Sequence, residues 1–124
     1  MLCVYVAGKY SANSVLGVFE NMRLGMQMSA KLLHLGYAVY SPWMDYHFNL
    51  MSPEGEMCTL EMLYENGLAW LEVSDILFVM LDSKDSVGVQ QEIAFANAHG
   101  IPVVLYDVFE LLKRFPPEGP DATP

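Results

Sequence analysis

The residue types best able to do chemistry cluster between Asp82 and Glu92, a stretch reading D-S-K-D-S-V-G-V-Q-Q-E. Ser86 suits the N-cap of a helix beginning near Val87. Gly88 lets a ligand approach the first turn, whose amide groups point outward. Glu92 follows about one and a half turns later. Val89, Ile93 and Ala96 form the stripe that faces a core, which puts Glu92 on the flank with Gly88, Phe95 and His99. Taken alone, Glu92 reads as a solvated helix carboxylate. Asp75 is the second carboxylate of interest; it directly precedes an apolar run, at the amino end of a predicted strand. The common nucleotide signatures are absent. The first turn, A-G-K-Y-S-A-N-S, matches neither G-x-G-x-x-G nor G-x-x-x-x-G-K-[ST]. His34, His47 and His99 have no ligand spacing and Cys58 has no neighbouring cysteine, so neither a metal nor a cofactor is expected.

The elements that must hold these residues follow from hydrophobic periodicity. Leu2 to Ala7 and Asp75 to Leu81 are short apolar runs bounded by turn residues, as strands buried on both faces are. Ala38 to Tyr40 and Pro102 to Tyr106 are two further strands. Val15, Val18, Met22, Met26, Ala30 and Leu33 recur at helical spacing, and Gly36 ends that helix. Trp43 to Gly55 reads as a loop. Glu56 to Val73 reads as a helix with Met57, Leu60, Leu63, Leu68 and Leu71 inward, and Trp70 is counted as core. Val87 to His99 is a helix stopped by Gly100, and Asp107 to Arg114 adds one or two turns. Residues 115–124 hold four prolines and are expected to fray, leaving 1–114 as the folded domain. The order βαβαβαβα predicts one doubly wound α/β domain, flavodoxin- or Rossmann-like. Its mostly parallel sheet has four to five strands in the order 2-1-3-4. Ligands in such folds bind beyond the carboxyl ends of the strands. The loops to inspect are therefore Gly8 to Ser14, Ser41 to Gly55 and Asp82 to Gly88.

Composition narrows the partners. The 124 residues carry a net charge of −9, and 53% are hydrophobic, which suits a well-buried core. So acidic a chain repels phosphodiester backbones, and no nucleic-acid partner is expected. A small anion can still bind at a helix amino end. Cys3 lies in a buried run and Cys58 is alone, so a reduced, cytoplasmic setting is expected. No basic segment precedes Leu2, so no secretory leader is expected. The longest unbroken apolar run, Ile76 to Leu81, is far too short for a membrane helix.

The segments V-Y-V-A-G-K-Y-S-A, Y-S-P-W, S-D-I-L-F-V-M-L and D-S-V-G-V-Q-Q-E-I-A-F-A-N-A-H-G-I-P-V-V-L-Y stand in an order that resembles the nucleoside 2-deoxyribosyltransferase superfamily. That superfamily includes the 2′-deoxynucleoside 5′-phosphate N-hydrolases. The likeness spans roughly residues 2 to 107. It implies cleavage of an N-glycosidic bond in a nucleoside or its 5′-monophosphate, with Glu92 as nucleophile, Tyr5 orienting it and Asp75 hydrogen-bonding the leaving base. Gly8 falls in the first ligand loop. Ser86 stands where the monophosphate hydrolases carry serine near phosphate and the transferases carry aspartate. The chain runs only a short way past the fourth strand, so hydrolysis is expected over base exchange. The implied chemistry is like that of retaining glycosidases: Glu92 attacks C1′ and a protonated Asp75 donates its proton to the leaving base. Trp43 and Tyr46 are candidates to stack on the base, and Asp45 or His47 to read its edge. Lys9, Ser11, Ser86 and Gly88 are candidates for the phosphate side. A homo-dimer or higher homo-oligomer is implied, and nine methionines supply adaptable apolar surface for it. Two other readings of the same scaffold stay open: a non-catalytic nucleotide sensor, and a flavin binder using Ser11 and Ser14.

Overall fold

The computed structural model of the protein describes residues 1–118. Four strands, β1 (Cys3–Ala7), β2 (Ala38–Tyr40), β3 (Ile76–Val79) and β4 (Val103–Leu105), form one parallel sheet in the order β2-β1-β3-β4. The register pairs Tyr5 with Tyr40 and with Leu77. Five α-helices connect and cover it: α1 (Val15–His34), α2 (Tyr46–Met51), α3 (Leu60–Glu72), α4 (Val87–Ala98) and α5 (Val108–Arg114). The architecture and strand order are those expected from the alternation of apolar runs and helical stripes.

Strand alternation divides the core into two layers. Val4, Val6, Ile76, Phe78 and Val104 face one side, against Met22 and Leu32 of α1, Trp43, and Leu111 of α5. Tyr5, Ala7, Leu77 and Val79 face the other, against Leu71 of α3 and Val89 and Ala96 of α4. Each layer holds a phenol: Tyr37 in the first donates to the Phe115 carbonyl, whereas Tyr5 in the second donates to a carboxylate.

Capping follows the sequence closely. Ser14, Thr59, Ser86 and Asp107 each accept a hydrogen bond from an amide in the first turn of α1, α3, α4 and α5. Gly36 (φ 108°) and Gly100 (φ 71°) take the left-handed conformation that ends α1 and α4.

Several expectations are corrected. The 43–55 segment is not all loop: Pro42–Asp45 forms a 3₁₀ turn and α2 follows it. The third helix begins at Leu60, where Thr59 caps it, rather than at Glu56; Met57 and Leu60 are exposed. The buried stripe of α1 is Met22, Gly25, Ser29 and Leu32, which leaves Val15 and Leu33 in solvent. Gly25 joins the stripe because Trp43 fills the space a side chain would take, with ring atoms 2.3 Å from an added Cβ. Trp70 is half exposed rather than core. In the expected tail, the Tyr37 hydroxyl donates to the Phe115 carbonyl at 2.7 Å, and Pro117 lies against Gly36. The rest of the expected proline-rich tail, 119–124, lies outside the described residues.

Candidate active site

Glu92 lies one and a half turns into α4, on the flank of the Val89–Ala96 stripe, and that flank faces β1. The Tyr5 hydroxyl donates to Glu92 Oε2 at 2.5 Å. Gly67 on α3 makes room for this contact, because a Cβ there would sit 2.9 Å from the Tyr5 oxygen. Burial is the larger influence on Glu92 and drives its carboxyl pKa up; the Tyr5 hydrogen bond pulls the other way, and the net is a value pushed up to about 7. The Tyr5 phenol is raised in turn, first by burial and then by the Glu92 charge. A carboxylate near neutrality, held at one oxygen by a neutral donor, is suited to nucleophilic or proton-transfer work.

A second phenol–carboxylate pair stands beside the first. The register places Tyr40 next to Tyr5, and their rings stack with centroids 5.1 Å apart. The Tyr40 hydroxyl reaches both oxygens of Asp45, at 2.9 and 2.7 Å, and itself accepts from Asn66 Nδ2 at 3.0 Å. Trp70 stacks on the outer face of Tyr40 at 5.9 Å. Burial raises the Asp45 pKa, opposed by the hydrogen bonds from Tyr40 and Asn66.

The loops beyond the strands converge here. After β1, the Lys9 amide donates to the buried Ser83 hydroxyl at 3.1 Å, and the Lys9 carbonyl accepts from Trp43 Nε1 at 3.0 Å. Gly8 is required where it stands, since a Cβ would meet the Trp43 ring at 2.8 Å. Ser86 spends its hydroxyl on the Val89 amide at 3.3 Å, while Gly88 faces nearly open space. Asp82 and Tyr106, just beyond β3 and β4, both hold left-handed backbone (φ 63° and 66°), which is costly for a tyrosine.

The structure brings together Glu92, Tyr5, Asp45 and the Gly8, Lys9, Ser86 and Gly88 loops. Two candidates lie elsewhere in role or place. Asp75 sits at the amino end of β3, exposed, where its Oδ2 accepts from the Cys3 amide at 2.7 Å. It is remote from the carboxyl-end loops and serves the sheet. Trp43 is 2% exposed, wedged between Gly8 and Gly25, and has no free face for a base. Ser11, Tyr46 and His47 are exposed. Tyr40, Asn66 and Gly67 were not singled out by sequence; the pairing of Tyr40 with Tyr5 was implicit in the strand order, while the turn of α3 that presents Asn66 and Gly67 had no signal.

Two clefts lie away from this centre: a groove of about 470 Å³ on α1 beside Phe19 and Met26, and one of about 360 Å³ by β4 beside Ile93 and Tyr106. Neither is lined by Glu92 or Tyr5. The convergence of titratable groups marks the site. Among the described residues, no cluster of His, Cys, Asp and Glu could hold a metal, and no helix is long and apolar enough to cross a membrane.

No protein-family model matches the chain, and no curated protein matches it in sequence. Among solved structures it is similar to a 2-deoxyribosyltransferase from Bacillus psychrosaccharolyticus, described as a biocatalyst for the synthesis of antiviral and antitumoral nucleosides. The two share 23% identity and superpose with a TM-score of 0.61, over 83% of this chain and 70% of that one. The parallel 2-1-3-4 sheet and its covering helices are thus similar in fold to that solved structure.

Proposed function

We propose that this protein is an enzyme that cleaves the N-glycosidic bond of a nucleoside or nucleoside 5′-monophosphate, with Glu92 as the nucleophile. The observation that carries the reading is the Tyr5–Glu92 pair: a half-buried carboxylate whose pKa burial raises, bonded by one phenol at 2.5 Å, at the carboxyl end of a parallel sheet. Tyr5 holds Oε2, which leaves Oε1 to attack C1′. As the bond to the base lengthens, positive charge grows on the sugar, and the nearby carboxylate stabilises it more than it stabilises the neutral substrate. Collapse gives a glycosyl ester on Glu92. Water attacks that ester in hydrolysis; a second base attacks it in exchange.

The fold likeness to a 2-deoxyribosyltransferase favours base exchange as the second reading. A 5′-phosphate would meet the amino end of α4 at Ser86 and Gly88, together with the exposed Lys9 and Ser11. Assembly of several copies fits the apolar residues left exposed on α2 and the first turn of α3, Phe48, Met51, Leu60 and Met62.

The test is a panel of ribo- and deoxyribonucleosides and their monophosphates, with free base separated by chromatography, with and without a second base. Release of base in step with free sugar or sugar phosphate is expected. Mixed nucleosides in place of free sugar establish exchange. Tight binding without base release, unaltered in Glu92→Gln, overturns the enzyme reading in favour of a sensor.

A further inference from the structure

We propose that Asp45 is the catalytic acid of this site, giving its proton to the leaving base, with Tyr40 and Asn66 as the residues that position it. The proposal rests on the glycosidase reading. When the C1′–N bond breaks, the bonding pair goes to the base, which needs a proton to leave easily. Glu92 is forming the bond to C1′ and cannot supply it, the Tyr5 proton is committed to Glu92, and Asp75 is tied to the Cys3 amide at the far end of the sheet.

Asp45 meets the requirement by construction. It closes the 3₁₀ turn that leaves β2 at its carboxyl end, and Trp43, buried under Gly8 and Gly25, pegs that turn in place. Asn66 donates to the Tyr40 oxygen, which turns the Tyr40 proton toward Asp45. A protonated Asp45 then accepts from Tyr40 at one oxygen and keeps its own O–H for the substrate. The residue is 9% exposed, at the boundary between buried and half-buried. The titratable groups around it are Tyr5 of β1, Tyr10 of the following loop, Tyr40 of β2 and Tyr46 of α2, with Glu92 of α4 one phenol further. Asp45 and Glu92 do not touch; the stacked phenols of Tyr40 and Tyr5 stand between them, each bonded to one carboxylate. The reactive form carries one proton, on Asp45: a cationic C1′ favours ionised Glu92, and a bound base dehydrates Asp45 and favours its neutral form. Glu92 bonds to C1′, the base leaves with the Asp45 proton, and the Asp45 carboxylate takes a proton from the water that then displaces Glu92.

The test compares Asp45→Asn with the wild type on two leaving groups, the best nucleoside of the panel and a 4-nitrophenyl glycoside of the same sugar, whose phenolate departs without a proton. Asp45→Asn is expected to lose about 10²- to 10³-fold in kcat/KM on the nucleoside, yet to cleave the nitrophenyl glycoside within about tenfold of wild type. It should also lose the alkaline limb of its pH–rate profile. Glu92→Gln should lose both substrates. Equal losses on the two substrates, or no loss, overturn the assignment while leaving the glycosidase reading intact. Where the wild type does not turn over the nitrophenyl glycoside, an unchanged alkaline limb in Asp45→Asn overturns it. A wild type that releases no base overturns both.

Discussion

The two ends of the sheet each carry a carboxylate that hydrogen-bonds to β1, and the two do different work. At the amino end, Asp75 accepts from the Cys3 amide at 2.7 Å and its own amide donates to the Cys3 carbonyl at 2.8 Å. The pair of bonds extends the β1–β3 ladder one step before its first registered pair, Val4 with Ile76. Water surrounds the side chain, and the partner is a backbone group that must be satisfied in any case. At the carboxyl end, Glu92 is half-buried and has a neutral phenol for a partner. Both are carboxylates and the partner strand is the same; partial burial and the choice of donor make one a clamp and suit the other to the proposed chemistry.

Substitutions at the two ends should separate these roles. Glu92→Gln has the largest expected effect, a loss of at least about 10³-fold in base release, because the nucleophile is gone. The same change should stabilise the fold. A carboxyl whose pKa is raised from 4.5 to about 7 binds more protons folded than unfolded, so its contribution is full below pH 4.5 and is lost as pH rises through 7. At pH 8, Glu92→Gln should gain up to about 3 kcal/mol by this linkage, and its Tm should fall less than that of wild type between pH 5 and 8. Thermal unfolding at both pH values checks the sign.

Tyr5→Phe comes next. It removes the one hydrogen bond that lowers the Glu92 pKa, so the acid limb of the pH–rate profile should move upward, with a rate loss of about 10- to 100-fold at neutral pH. Gly67→Ala should follow: its Cβ would lie 2.9 Å from the Tyr5 oxygen and must displace the phenol. A loss of about tenfold in rate is expected with little loss in Tm, since alanine is favoured over glycine in a helix by about 1 kcal/mol. Asp75→Ala should be smallest, within about threefold of wild-type turnover and about 1 kcal/mol less stable in denaturant unfolding. A large loss of turnover there, with Tm unchanged, would break the distinction between the two ends.

Much of this arrangement was legible in the residues. Continuous apolar runs such as Ile76 to Val79 need cover on both faces, and alternation with helices leaves a parallel sheet as the architecture. Ser86 and Gly88 marked the start of α4, and the helical stripe put Glu92 on its flank. The wedge of Trp43 was not legible, because it depends on two glycines, Gly8 and Gly25, that are distant in sequence and meet only when α1 packs. Nor was the site face of α3, since Met57 and Leu60 promise an inward stripe, yet the helix starts only after the Thr59 cap and buries Gly67 and Leu71 instead. Asp75 shows the opposite lesson. Its place before β3 already put it at the amino end, and local position there outweighs resemblance.

The central claim is a covalent bond from Glu92 to C1′, and mass spectrometry tests it most directly. A 2′-fluoro nucleoside slows formation of the cationic sugar and slows breakdown of the ester more than a natural substrate would. Incubation with the wild type should add the mass of one fluorosugar to the chain, release one equivalent of base, and leave the label on the peptide that contains Glu92. Steady base release with no label, or a label on any other residue, would contradict the account.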